Sequence, residues 1–417
     1  MPQMIVGHDA EGVRATMNIL VVHEVSYAKK VVYEYQEFAE RLAARGHRVT
    51  VIDYDETGDS AQCERAISRT GTGTVTLRNT PYLDVPVLKY VTGKLNYPKL
   101  LATAIAEGRV DVVLLYSVFI NGTATVRMCA ERGIPVVYRV LDAYHKLRQN
   151  PWIAGILHRG ERFIYRNVDA ICLTNAKMEE YVANVAGQSV RDRTTVIDHG
   201  VDTEIFQPRP RDEQLTRQYG ILPTDRVALF VGTLYPFAGI GALLERFEDI
   251  RDACPTAKIV VVGDGPLMPT LRRVVGKHGL EARVVLTGMR PYDEVPRWLS
   301  VADVAFNSFE INDITREIIP IKTLQYLASG RAIVSAPIPD VQRLFPEPTG
   351  GIVYGDIADP AAFARLLGRT LADPAGCARL AAAGRTRIEE RYSLARTIDA
   401  LEKLLREQID LHARNGR

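Results

Sequence analysis

The sequence lacks any long apolar run. The longest, VVLLYSVFI at 112–120, is too short to cross a bilayer. The opening MPQMIVGHDAEGVRATMN has acidic residues and no apolar h-region, which argues against a secretory signal. Surplus charge is lacking too. Lys and Arg number 52 and Asp and Glu 50, a formal net charge of +2 over 417 residues, so nothing in the balance demands nucleic acid or an anionic membrane. The five cysteines (Cys63, Cys129, Cys172, Cys254, Cys377) are odd in number and scattered, with no C-x-x-C. They exclude a disulfide or zinc frame and read as reduced thiols of a cytoplasmic protein. No cluster has metal-ligand spacing, and Asp53-Tyr54-Asp55 reads as an ordinary strand end, so no metal site is expected. Glycine is missing where a nicotinamide-dependent oxidoreductase needs it: VVHEVSYAKK, after the first strand, contains none. Cations are missing between Arg226 and Arg246, across VGTLYPFAGI (231–240), a strand–glycine–helix passage otherwise suited to a phosphate.

What is present is a 47% hydrophobic chain in which short Val/Ile/Leu runs alternate with helical patterns. Six strands are expected at Ile19–Val22, Val49–Asp53, Val112–Tyr116, Pro135–Val140, Ala170–Thr174 and Thr195–Ile197. Six more follow at Val227–Val231, Lys258–Val262, Val284–Thr287, Val304–Asn307, Ala332–Ser335 and Ile352–Tyr354. Nearly continuous apolar runs suit strands buried on both faces of a parallel sheet, and helices between them imply right-handed crossovers. The fold class is therefore α/β: two Rossmann-like doubly wound domains facing a cleft, with ligands outside the carboxyl ends of the strands. The expected division is a loose tail at 1–16, a first domain at 17–205 and a second at 206–390. A last helix at 391–417 carries the stripe Leu394, Ile398, Leu401, Leu405 and returns to the first domain. The Pro- and charge-rich QPRPRDEQL (207–215) is the linker.

Three stretches of the second half carry candidate chemistry. The turn at Gly232–Gly241 is a phosphate cradle or only a tight turn. VVGDGP ends a strand in a turn where Asp264 meets a ligand or caps a helix. From Asn307, a charged loop with Glu310, Asp313, Arg316 and Glu317 leads to Pro320 and a helix at 321–329 closed by Gly330. The N–H groups around Ile319 to Lys322, with Arg316 and Lys322, would make an anion site.

Taken together, these stretches resemble the retaining glycosyltransferases of family 4, which have the GT-B fold. The resemblance runs from Asn18 to about Leu405 and rests on VGTLYPFAGIGALLERF, VGDGP, LTGMRPYDEVPRWLSVADV, IDHGVDTEIFQP and RGHRVTV in the family's order. It implies a metal-independent transfer from a nucleotide sugar, GDP or UDP favoured, with no cofactor beyond that co-substrate. The acceptor would be a small molecule or a glycan, and nucleic acid is not a partner. The family's two glutamates fall on Glu317, which would touch the donor sugar, and on Gln325, at the ribose position. The donor set implied is Gly232, Thr233, Gly263, Asp264, Met289, Arg290, Ile319, Ile321 and Gln325. Glu317, Arg316, Lys322, His145 and Asp142 are the catalytic candidates, and Glu24, Tyr27, Lys29 and Tyr144 lie on the acceptor side.

The departures from the family pattern are specific. The two basic residues that usually clamp the donor diphosphate are Thr233 and Ala238 here. The glycine-rich turn after the first strand is HEVSYAKK, and the usual His–Asp pair reads Leu141-Asp142, with His145 three residues on. Either Arg316 and Lys322, with Lys29 or Lys30, supply the missing charge, or the chain is a degenerate relative that binds without turnover. Membrane contact has two weak signals. NPWIAGILHRGERFIYRN (150–167) is basic and aromatic, but Trp152, Ile156 and Phe163 at near-helical spacing favour a core helix. Lys89, Lys94 and Lys99 with Tyr90 and Tyr97 form a weak basic face, directed to lipid or substrate or only solvated.

Overall fold

The computed structural model describes residues 16–30, 32–55, 64–146, 150–312, 315–317, 319–347 and 349–414. The expected tail, apart from Thr16, lies outside them, as do Cys63 and Asp313. Contacts divide the chain into two units, Met1–Asp198 with Ile398–Arg417, and His199–Thr397. The division falls ahead of the Pro-rich stretch.

The N-terminal unit has eight strands: β1 (Asn18–Val22), β2 (Arg48–Asp53), β3 (Glu64–Ile67), β4 (Val75–Asn79), β5 (Val112–Leu115), β6 (Val136–Val140), β7 (Ala170–Leu173) and β8 (Thr194–Val196). Their order is β3-β4-β2-β1-β5-β6-β7-β8. Every neighbouring pair is parallel except β3–β4. β5, β6 and β7 are buried at every position, as strands covered on both faces must be. The main helices are α1 (Glu34–Ala44), α2 (Leu88–Gly108), α3 (Gly122–Arg132), α4 (Pro151–Asn167) and α5 (Lys177–Ala186). α1 buries Tyr35, Phe38, Ala39 and Leu42 and is followed by Gly46 at φ +89°. A buried ion pair ties α1 to the sheet: Arg139 of β6 donates from Nε and Nη2 to the two carboxylate oxygens of Glu34, both at 2.7 Å.

The C-terminal unit holds six parallel strands: β9 (Arg226–Val231), β10 (Ala257–Val262), β11 (Val284–Leu286), β12 (Val304–Asn307), β13 (Ala332–Ser335) and β14 (Ile352–Tyr354), in the order β11-β10-β9-β12-β13-β14. The winding reverses between β9 and β12, so the ends of these two strands flank the switch point where open α/β sheets bind ligands. In the N-terminal sheet the reversal lies between β1 and β5.

Two expectations need correction. The β3–β4 pair was not anticipated: ERAI is exposed at three of its four positions and shows no buried face, and VTLRN, though buried at four of five, carries Thr, Arg and Asn in place of an apolar run. α4 does not bury Trp152 and Ile156, which are 85% and 49% exposed. Its inward face is Leu157, Glu161, Ile164 and Tyr165, and an acidic residue at the centre of that stripe hides it from a reading of apolar spacing. Among the described residues, no helix is long and apolar enough to cross a membrane.

Candidate functional site

In the C-terminal unit the strand ends interlock through glycines. Gly232 follows β9 at φ +142° and donates its N–H to Val262 O at 2.9 Å. Gly263 follows β10 at φ +140°, and a β-carbon there would lie 2.0 Å from Gly232 O. At Gly263 a side chain would meet backbone, and both glycines hold positive φ values that other residues rarely adopt. Asp264 accepts from the N–H of Gly265, its neighbour, and the helix Met268–His278 starts without it.

The helix Ile321–Ala328 begins beside this turn, with Pro320 as its N-cap residue. Tyr326 is fully buried. Its hydroxyl accepts from Val231 N at 2.7 Å and donates to Val231 O at 3.3 Å, lashing the helix to the end of β9. Lys322 lies one turn earlier on the same face. Its Nζ would be 2.9 Å from a β-carbon on Gly232, and sits 3.8 Å from the Phe230 ring centroid and 4.5 Å from that of Phe309. The rings favour a cation over their faces, but burial pushes the amine down to about 7. The structure thus brings Gly232, Gly263 and Lys322 together, with Ile319 and Ile321 at the start of the helix.

Other predicted donor residues are occupied elsewhere. Arg290 donates to the Tyr219 hydroxyl and lies over the Tyr219 and Trp298 rings, at 5.7 and 5.9 Å. Gln325 is buried and donates to the Tyr292 hydroxyl at 3.2 Å. Thr233, Met289 and Arg316 are exposed. Ala238 is fully buried, and its carbonyl accepts from Ser308 Oγ at 2.7 Å. Glu317 ends a short 3-10 turn, Thr315–Glu317, and its side chain lies outside what is described. Sequence reasoning passed over Asn307. It ends β12 fully buried, and neither amide atom has a partner. A polar residue closing an apolar strand at the switch point was the available signal.

In the N-terminal unit, the loop after β6 carries Asp142, Tyr144 and His145. Glu161 of α4, fully buried, holds the last two. One carboxylate oxygen accepts from Tyr144 N at 3.0 Å and from the Tyr181 hydroxyl at 3.1 Å, and the other lies 2.6 Å from His145 Nδ1. Burial raises the Glu161 carboxyl, opposed by these hydrogen bonds. The Tyr144 hydroxyl is pushed well above its usual range by burial and then by the carboxylates of Asp142 and Glu24. His158 approaches edge-on, 4.8 Å between ring centroids. Ligand-type atoms of His145, His158 and Glu161 lie within 4.8 Å of one another, a grouping that the sequence spacing did not suggest. Both carboxylate oxygens of Glu161 have hydrogen-bond partners.

Three acceptor-side candidates have structural work. Glu24 accepts from the N–H groups of Val118, Phe119 and Ile120, the last at 2.6 Å, and from Ser117 Oγ, so it caps the segment entering α3. Tyr27 is fully buried; its hydroxyl donates to Glu40 at 3.0 Å, and its N–H to Asp53 at 2.8 Å. Such a side chain meets no ligand. Lys29 is exposed and paired with Asp55 at 3.3 Å. Asp53, held by Tyr27 N and Asn79, is a strand-end anchor, raised to about 7 by burial.

Comparison with known proteins bears on both units. Residues 33–200 match the family model described as "Glycosyl transferase 4-like domain", and residues 225–373 match "Glycosyl transferases group 1". Among curated proteins, the chain is 26% identical over 198 residues to an alpha-D-kanosaminyltransferase of Streptomyces kanamyceticus, covering 47% of this chain and 49% of that protein. It is 30% identical over 197 residues to a GDP-mannose-dependent alpha-(1-6)-phosphatidylinositol monomannoside mannosyltransferase of Mycolicibacterium smegmatis, covering 45% and 49%. The matched stretch thus spans about half the length of each. Among solved structures, the fold matches a sucrose-phosphate synthase of Thermosynechococcus elongatus with a TM-score of 0.71 at 16% identity, over 94% of this chain and 99% of that one. It matches Anabaena HepE, solved in complex with UDP, with a TM-score of 0.70 at 14% identity, over 94% and 100%. With a glycosyltransferase family model on each domain, and that fold along almost its whole length, the chain belongs to the glycosyltransferases of the GT-B fold.

Proposed function

We propose that this chain transfers a sugar from a nucleoside diphosphate sugar to an acceptor, with retention of configuration and without a metal ion. The observation that carries the reading is Lys322 against the Gly232 turn. The donor diphosphate lies on that turn and on the N–H groups at the start of the helix Ile321–Ala328, and Lys322 supplies the positive charge absent at Thr233 and Ala238. The acceptor hydroxyl attacks on the face that the diphosphate leaves. As the sugar–oxygen bond to the diphosphate breaks and the new one forms, the departing diphosphate takes the hydroxyl proton. No protein nucleophile is needed, so the enzyme's contribution is orientation and stabilisation of the leaving charge, worth roughly 3 kcal/mol per such interaction. Glu317 meets the donor sugar, and Asp142, Tyr144 and His145 meet the acceptor. UDP in HepE and GDP-mannose in the name of the mycobacterial relative favour UDP or GDP. The kanosaminyl and phosphatidylinositol-mannoside relatives favour small-molecule or cell-surface glycan assembly, and the scattered, unpaired spacing of the cysteines favours the cytoplasm.

One observation favours a second reading, a binding protein without turnover: Gln325, at the ribose position, is already bonded to Tyr292. Thermal unfolding with GDP, UDP, ADP, dTDP and CMP tests both. A ligand at a hundred times its Kd stabilises the folded state by about 2.7 kcal/mol. One diphosphate should raise Tm in the native chain and not in Lys322→Met, and its sugar conjugates should release that diphosphate when acceptors are present. A shift with no release from any donor supports the second reading. If no nucleotide and no sugar nucleotide shifts Tm, the first is refuted.

A further inference from the structure

Most of the large apolar side chains that the described residues leave exposed fall in two segments of the N-terminal unit. One runs into α2 and includes Leu83, Val87 and Leu95, at 61, 73 and 71% exposure. The other opens α4 with Trp152, Ile153 and Ile156. Val87 itself has φ +67°, a left-handed conformation that β-branched residues rarely adopt, and it presents its isopropyl group to solvent.

The topology places the two segments side by side. The connections β4 to β5, β5 to β6 and β6 to β7 all run the same way across the sheet, so right-handed crossovers put α2, α3 and α4 on one face. Each helix starts at the carboxyl edge of the strand before it, and α3 packs against both of the others. Side chains bridge the interval. The Tyr90 ring lies 6.4 Å from that of Phe119, and a β-carbon on Gly160 of α4 would lie 3.1 Å from Val118 Cγ1.

The charges around this surface are mostly positive. Lys94 and Lys99 of α2 and Arg159 and Arg162 of α4 are exposed, and Lys89 is partly so. Against them stands Asp84. Glu161 is buried, and Glu107, at the far end of α2, pairs with Arg78. Lys89 and Lys94 lie over the Tyr90 and Phe119 rings at 5.4 and 5.3 Å, with apolar stems along the surface.

We propose that this edge of the N-terminal unit lies on the surface of a bilayer containing anionic lipid. Leu83, Val87, Leu95 and the α4 trio enter the interface while the lysines and arginines meet headgroup phosphates. An apolar face fringed by cations suits such a surface better than a neutral protein partner, because phosphate charge complements the fringe and Trp152 belongs at the wet boundary. Neither helix spans the bilayer. The inference stands apart from the transferase reading, since it needs no nucleotide.

The test uses the full chain, without nucleotide, on phosphatidylcholine vesicles with and without phosphatidylglycerol. Trp298 is fully buried, so a shift in tryptophan emission reports Trp152. Flotation and a blue shift are expected only with phosphatidylglycerol, and should weaken as salt screens the surface. Each cation near an anionic surface contributes roughly fivefold to partitioning, so the double variant Lys94→Glu, Arg159→Glu should float at least ~25-fold less. Leu95→Ser with Ile156→Ser should also lose flotation. All four positions are exposed, so Tm is expected to stay unchanged, which separates a surface effect from misfolding. Absence of flotation with phosphatidylglycerol, or flotation untouched by charge reversal, overturns the proposal. So does a lipid-free blue shift that tracks dimer formation in sedimentation, which would assign the face to a second copy of the chain.

Discussion

The amine of Lys322 titrates near 7 in the free protein because burial against Phe230 and Phe309 takes it out of water. A diphosphate on the Gly232 turn would draw a proton onto it. Above pH 7 the free amine is neutral and the bound amine charged, so binding takes up a proton and affinity falls as pH rises, approaching tenfold per unit. Phosphate ionises near 6, so the nucleotide adds little slope above about 7.5. Calorimetric titration with UDP and GDP in two buffers of different ionisation heat measures both the affinity and the proton uptake. Lys322→Met keeps the apolar stem, should flatten the profile, and should weaken binding below pH 7 by roughly 1.5–3 kcal/mol, the worth of a hydrogen bond to a charged group. Stability checks the same site. Below pH 7 both states hold the proton and the fold buries a charge. Between 7 and 10.5 the unfolded chain holds more protons, so unfolding free energy rises with pH, and in Lys322→Met that rise is lost. A flat affinity profile in the native chain, or an equal slope in Lys322→Met, refutes the assignment.

Three further outcomes follow from packing. Gly263→Ala puts a methyl 2.0 Å from Gly232 O at φ +140°, and should cost about 1–3 kcal/mol in urea unfolding together with most nucleotide affinity. Glu161→Gln keeps the shape beside His145 but removes the charge; turnover should fall on the order of 10²-fold while the nucleotide-induced Tm shift stays, and parallel loss of both would refute separate donor and acceptor roles. Glu34→Gln strands the fully buried Arg139 guanidinium and should cost about 3–5 kcal/mol in equilibrium unfolding, with under 1 kcal/mol counting against the ion pair as a fold determinant.

Strands such as β5 to β7 were legible because a run such as VVLL announces its surroundings at every position, whereas β4, although mostly buried, mixes Thr, Arg and Asn into VTLRN and passed unseen. β3 was illegible because an exposed antiparallel edge imposes no apolar pattern. Glu24 shows the same limit at the site. A charged residue just past a strand reads alike whether it faces a ligand or, as here, caps a neighbouring turn. Lys322 was legible as a cation at a helix start, but not its two rings, since Phe230 and Phe309 come from other strand ends. The link between His145, Glu161 and Tyr181 joins a loop and two helices, and only the fold brings them within hydrogen-bond reach.

The missing clamp is where sequence and structure together say most. The family resemblance implies a cation at each of two positions that hold Thr233 and Ala238 here, and the structure shows that the two positions differ. Ala238 is fully buried under Ser308, so a lysine there would bury its stem at the expense of packing and would not restore a clamp. Thr233 is exposed beside the turn and can carry a longer side chain at little cost. Placed in the Lys322→Met background, Thr233→Arg should recover diphosphate affinity, measured by the same titration. Because guanidinium stays charged across the working range, the recovered binding should be independent of pH from 7 to 9, unlike that of the native chain. Recovery with the native slope would mean that the proton is taken up elsewhere. No recovery would mean that the diphosphate does not lie on the Gly232 turn.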